Sequence, residues 1–235
     1  MKSRIWELDA LRGLCILGVI VVHFVYDITT LYRLVDWTLP DIFLFVQQWG
    51  GTVFLLISGI CATLGSRSVR RGIIVFCCGL LCSAVTAGMY FLGMADKGII
   101  IYFGVLHCLG TCMIVWPLFK KMHPVSLIFL SAALVAIGFV LADMRSSTFW
   151  LVPIGLTPHG FASSDYFPLL PNLGFFLFGA VLGKLAYRGG TSLLPKVNSN
   201  SPILKFLQLC GKHSLWIYLL HQPILNGICW LLMLA

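Results

Sequence analysis

The chain has 235 residues, 59% of them hydrophobic and 10% charged, and a formal net charge of +8; its mean hydropathy is +0.96. A soluble domain is about a quarter charged and roughly half apolar, so this composition excludes an ordinary soluble fold and points to an all-α, polytopic membrane bundle. The positive charge would suggest nucleic acid in a soluble protein. Here it sits in short connections between apolar runs, where membrane orientation accounts for it, and no nucleic-acid partner is expected.

A helix needs about 20 mostly apolar residues to cross the hydrocarbon core. Seven runs approach that length, at residues 11–31, 43–64, 72–94, 99–119, 125–142, 168–187 and 214–235, and they are read as a single integral-membrane domain over residues 1–235. The first run lacks a small-residue cleavage site and reads as a spanning helix rather than a signal peptide. Lysine and arginine separate across the alternating connections. One side holds Lys2, Arg4, Arg12, Arg67, Arg70, Arg71, Lys120, Lys121, Lys184, Arg188, Lys196, Lys205 and Lys212, and the other Arg33, Lys97 and Arg145, which is 13 against 3. By the positive-inside rule the N-terminus lies in the cytoplasm and, after an odd number of crossings, the C-terminus outside. A missed or invented span would scramble this asymmetry.

Two connections do more than turn the chain. The external stretch 143–167, with Trp150, Pro153, Pro158, Gly160 and Asp165, is expected to lie on the membrane or cap a cavity. The cytoplasmic stretch 189–212 begins as a Gly, Ser and Asn linker and becomes Ile203-Leu204-Lys205-Phe206-Leu207, a short interfacial helix. The nine cysteines fall mostly inside apolar runs and read as small core hydrophobes. Cys78 with Cys82, and Cys108 with Cys112, share helical faces, but no set of four converging ligands is visible and no metal is expected.

Ionisable side chains at membrane depth are costly unless they face a cavity or a partner, which makes each a functional hypothesis. In the first run Arg12 enters at the cytoplasmic end and His23 follows eleven positions later. The two are roughly 16 Å apart along a helix axis and within about 20° of one face. Asp27 is one turn beyond His23, at the i+4 spacing where side chains meet. A carboxylate there would fix the imidazole tautomer and raise the basicity of the free nitrogen, as a general base requires. The structural alternative is a polar pair bracing helix packing. His107 in the fourth run, His221 ahead of Pro223 in the last, and Ser58 beside Gly59 in the second are candidate substrate-binding residues, each with packing as its alternative. Arg67, Arg70 and Arg71 concentrate three guanidinium groups between the second and third runs. Topology explains such a cluster, and so does a phosphate clamp, because the planar guanidinium fork suits bidentate phosphate contacts. A different class of function, a proton-coupled or ion transporter, would thread a path through His23, Asp27 and His107.

Several of these residues fall in runs with a family likeness. Leu8-Asp9-Ala10-Leu11-Arg12-Gly13 with His23, Phe24, Tyr26 and Asp27, then Phe54-Leu55-Leu56-Ile57-Ser58-Gly59, Phe103-Gly104-Val105-Leu106-His107 and Asp165-Tyr166-Phe167-Pro168-Leu169-Leu170-Pro171, resemble the bacterial branch of the heparan-alpha-glucosaminide N-acetyltransferase catalytic-domain family. The Arg12 to His23 spacing and the late Tyr218-Leu219-Leu220-His221-Gln222-Pro223 run are similar to the wider superfamily of transmembrane acyltransferases that modify envelope sugars. The resemblance implies an enzyme of a bacterial cytoplasmic membrane. It would move acetyl from cytoplasmic acetyl-CoA to a sugar, lipid or small amine or hydroxyl acceptor in the membrane or on its outer side. It further implies that Arg12, Arg67, Arg70 and Arg71 hold the CoA phosphates while His23, oriented by Asp27, takes the acceptor proton. An acetyl-histidine intermediate is the other route. The chain is shorter than the lysosomal enzymes of the family and lacks a large lumenal domain, so their amino-sugar substrate is not carried over. Homo-oligomerisation is left open.

Overall fold

The computed structural model describes residues 5–234, so Lys2 and Arg4 of the charge count and Ala235 of the last run lie outside the described residues. The described chain is helical: α1 (Trp6–Tyr26), α2 (Asp41–Leu64), α3 (Ser68–Phe91), α4 (Val105–Phe119), α5 (Pro124–Ala142), α6 (Leu169–Ala186), α7 (Pro202–Lys212) and α8 (Ser214–Leu234). Six of these are long and apolar enough to cross a membrane: α1 with its continuation to Leu31, α2, α3, α5, α6 and α8. Large apolar side chains such as Leu14, Phe91 and Phe129 stand exposed on them, as lipid-facing surfaces require.

The fourth expected span differs. Residues 99–119 are mostly apolar, yet α4 has only 15 residues. That length rises about 22 Å, short of the roughly 30 Å core. Its N-terminal part is instead a 3-10 turn, Lys97–Ile99, followed by extended backbone at residues 100–104. Non-helical backbone at membrane depth survives only where its polar groups find partners within the protein. Here they do. The Ser83 hydroxyl donates to Ile101 O at 2.6 Å, Ile101 N donates to Thr86 Oγ1 at 3.1 Å, and Ser163 donates to Ile100 O at 2.9 Å. Phe167 N donates to Phe103 O at 2.9 Å.

The chain forms two compact units, one made of residues up to Phe54 with those from Gly190 onward, the other of Leu55–Gly189. In the first, α7 packs antiparallel along the start of α1. Gly13 lies against the Leu207 carbonyl and Gly211 against that of Asp9, so close that a Cβ on either would fall about 2 Å from the facing oxygen. Small residues of this kind let helix backbones meet in membranes. Ser201 caps α7 through Leu204 N, and Pro202 starts it. Ile203, Phe206 and Leu209 form an exposed apolar stripe on α7, the pattern of a helix lying in a bilayer surface. Glu7 ties the preceding linker to α1 by accepting from Leu193 N at 2.7 Å.

In the second unit, Gly59 of α2 meets the Phe176 carbonyl of α6, and Gly179 of α6 meets that of Leu56. The connection between α5 and α6 is folded rather than an open loop. Tyr102, Phe149, Phe161 and Tyr166 stack with centroids 5.0 to 6.4 Å apart, and the Tyr166 hydroxyl donates to Val152 O at 2.8 Å. Burial pushes that phenol up to about 12 against the opposing charge of Arg145, so it stays a donor. Trp150, 88% exposed beside the cluster, has the position of an interfacial anchor.

Candidate active site

Three polar rungs join α1 and its continuation to α8. His23 meets His221 edge to face, with ring centroids 4.9 Å apart and planes at 62°. Asp27, fully buried, accepts from the Gln222 amide at both oxygens, 3.2 and 3.1 Å. The Tyr32 hydroxyl donates to Asn226 Oδ1 at 3.1 Å. The rungs ascend in the same order on both helices, so α1 and α8 run parallel. At Asp27 the backbone leaves α1 for a wider π turn, Asp27–Leu31, in which Tyr32 N reaches back to Asp27 O at 2.8 Å. Such π turns recur at functional sites.

The i+4 spacing alone led to the expectation that Asp27 orients His23. The structure corrects that contact. A buried carboxylate needs donors on both oxygens, and the Gln222 amide supplies them from across the helix pair, while no hydrogen bond joins Asp27 to His23 among the described residues. The Nδ1 of His221 bonds the Tyr218 carbonyl. His221 Nε2 and Gln222 Oε1, on consecutive residues, are buried without partners among the described residues. Unsatisfied buried polar atoms are rare in native proteins, and a pair of them in an apolar helix calls for a functional explanation. Arg12 sits lower on α1, beside Asp9 at 4.0 Å.

The other candidates lie in the second unit. His107 Nδ1 accepts from Gly104 N at 3.2 Å, which leaves its proton on Nε2, 3.4 Å from Ser83 Oγ. Its ring is clasped by Phe76, Phe103 and the bare Cα of Gly79. One nitrogen thus caps the start of α4 and the other meets α3. Asp165 completes that cap by accepting from Val105 N at 3.0 Å. Asp165→Ala is expected to destabilise the protein by about 1–2 kcal/mol and Asp165→Asn, which keeps an acceptor, by less, as read from thermal melting in detergent. Ser58 is buried on α2 beside Gly59, and no hydrogen bond joins it to His107 among the described residues.

Arg67 is the N-cap of α3, and Arg70 and Arg71 lie in its first turn, which holds no acidic residue. With Ile74 they line an open recess of about 370 Å³. Three cations at the positive end of a helix dipole are placed where they repel the helix and one another. None of them pairs with a carboxylate among the described residues. Planar guanidinium groups facing one recess have the chemistry that suits an anion.

These residues fall inside a family match. The family described as "Heparan-alpha-glucosaminide N-acetyltransferase, catalytic" matches this chain over residues 4–223. The chain belongs to that family. Membership implies a transmembrane acetyltransferase, in keeping with the six membrane-length helices. The family match takes in both histidines of the pair, Asp27, Gln222 and the arginine recess, and ends one residue past Gln222. No curated protein and no solved structure matches the chain. Gln222, Tyr32, Asn226, Ser83 and the capping role of Asp165 escaped the sequence reading. A signal existed for two of them, since Gln222 and Asn226 are amides four positions apart in an apolar helix.

Proposed function

We propose that this acetyltransferase takes acetyl from acetyl-CoA and delivers it to a hydroxyl or amine of a sugar, lipid or small-molecule acceptor, with His23 as general base. The observation that carries this reading is the pairing of half-buried His23 with buried His221, flanked by acceptor atoms unpartnered among the described residues, inside helices otherwise built for lipid. His23 takes the proton of the acceptor as its oxygen or nitrogen attacks the thioester carbonyl. The carbon–sulfur bond then breaks, and the departing thiolate recovers that proton to leave as CoA thiol. Arg12, roughly 16 Å below His23 along α1, supplies positive charge on the same helix for the donor's phosphates. The Arg67, Arg70 and Arg71 recess offers a second such place. The charge asymmetry supports a cytoplasmic N-terminus and donor, with the acceptor in the membrane or beyond it. A bacterial cytoplasmic membrane is the proposed location.

Acetyl-CoA added to the purified protein is expected to raise its melting temperature, because a ligand held by the folded state alone stabilises it. Arg70→Ala is expected to weaken acetyl-CoA binding about tenfold, the worth of one charge-assisted hydrogen bond, and the remaining affinity to fall with added salt. No thermal shift at saturating acetyl-CoA would favour a proton or ion path through the buried histidines, which needs no such ligand.

A further inference from the structure

The His221 ring has one nitrogen whose state is fixed by chemistry. Its Nδ1 meets the Tyr218 carbonyl, and a carbonyl oxygen only accepts, so Nδ1 carries the hydrogen. In the neutral ring, Nε2 then holds a lone pair. That nitrogen is buried without a hydrogen-bond partner among the described residues, and the His221 ring stands edge to face with the ring of His23, centroid to centroid 4.9 Å. Asp27, the other candidate to orient His23, accepts from Gln222 at both oxygens and makes no hydrogen bond to His23 among the described residues. Two needs therefore meet in adjoining rings of α1 and α8: an acceptor without a donor, and an imidazole without an orienting acceptor.

We infer that His221 is the positioning residue of His23. An N–H of His23 turned to His221 Nε2 completes a chain from the Tyr218 carbonyl through both rings and leaves the other His23 nitrogen as the proton acceptor. Catalytic hydrogen bonds are often long in a ligand-free protein and tighten when substrate binds. A neutral imidazole suits this place better than a carboxylate would, since it orients the base without adding a second charge to an apolar helix pair. Asp27 then acts one step further out, by holding Gln222, the neighbour of His221, against α1. The inference rests on His23 being the base, and it assigns His221 a role other than binding substrate.

The test uses the full chain in lipid nanodiscs with ¹⁵N-labelled histidine. His221→Asn keeps an N–H for the Tyr218 carbonyl and removes the acceptor, whereas His221→Gln places an amide oxygen near the position of Nε2. In the unaltered protein His23 is expected to show a single tautomer by NMR. In His221→Asn that tautomer is lost to a mixture and kcat falls about 10- to 100-fold, the usual effect of removing an orienting partner, with KM for acetyl-CoA unchanged. His221→Gln is expected to recover most of both. An unchanged His23 tautomer in His221→Asn, or a His221→Gln variant no better than His221→Asn, would overturn the inference. The tautomer is read in the resting protein. Full turnover in His23→Ala would therefore refute the base assignment and leave the positional result to be judged by its own signal.

Discussion

His23→Ala is expected to lower acetyl transfer by at least about 10²-fold, the lower bound for losing a positioned general base, while acetyl-CoA still raises the melting temperature. The two readouts separate because the proposed donor contacts are made elsewhere, by Arg12 on the first turns of α1 and by the recess at the start of α3. Removing the ring also breaks the edge-to-face contact with His221, so a modest loss of stability accompanies the loss of turnover. His23→Gln serves as the control for packing, since it fills much of the space and cannot take up a proton. Transfer at the normal rate in both variants would remove the proposed mechanism.

The largest effect on folding is expected at Gly13. A Cβ there would stand about 2 Å from the Leu207 carbonyl oxygen, and the facing Gly211 leaves no room on its side either, with the Asp9 carbonyl equally close. The atoms in the way are backbone, which cannot rotate aside. Gly13→Val must therefore separate α7 from α1, and overpacking of that kind costs about 3 kcal/mol or more. Gly18→Ala, one and a half turns further along α1, meets nothing within 4 Å and is expected to be neutral or slightly stabilising. Comparing the monodisperse fraction and melting temperature of the two variants checks this. Equal behaviour would show that the α1 and α7 contact does not hold the first unit together.

Which parts of the site were legible beforehand follows from how far each interaction reaches along the chain. His23, Asp27 and His221 stand out because a charged or titratable residue is conspicuous in an apolar run. The arginine cluster stands out for its density. The proposed contact between His23 and Asp27 failed because i+4 spacing gives proximity and not partnership: Asp27 found its donor on Gln222, 195 positions away. His107 is the opposite case. A candidate substrate-binding residue by its depth in an apolar run, it accepts from Gly104, three positions back at the start of α4, and meets Ser83 on α3.

By itself, the order of residues determined that this is a helical membrane protein and where its apolar segments fall. Those properties depend on the cost of placing polar groups in hydrocarbon, which each segment meets on its own. Only the tertiary structure decided that residues 100–104 leave the helical path, that α7 docks on α1, and that His23 is paired with His221. Each of these depends on hydrogen bonds or close backbone contacts between segments distant in the chain, and no local pattern encodes which distant partner will satisfy a given group.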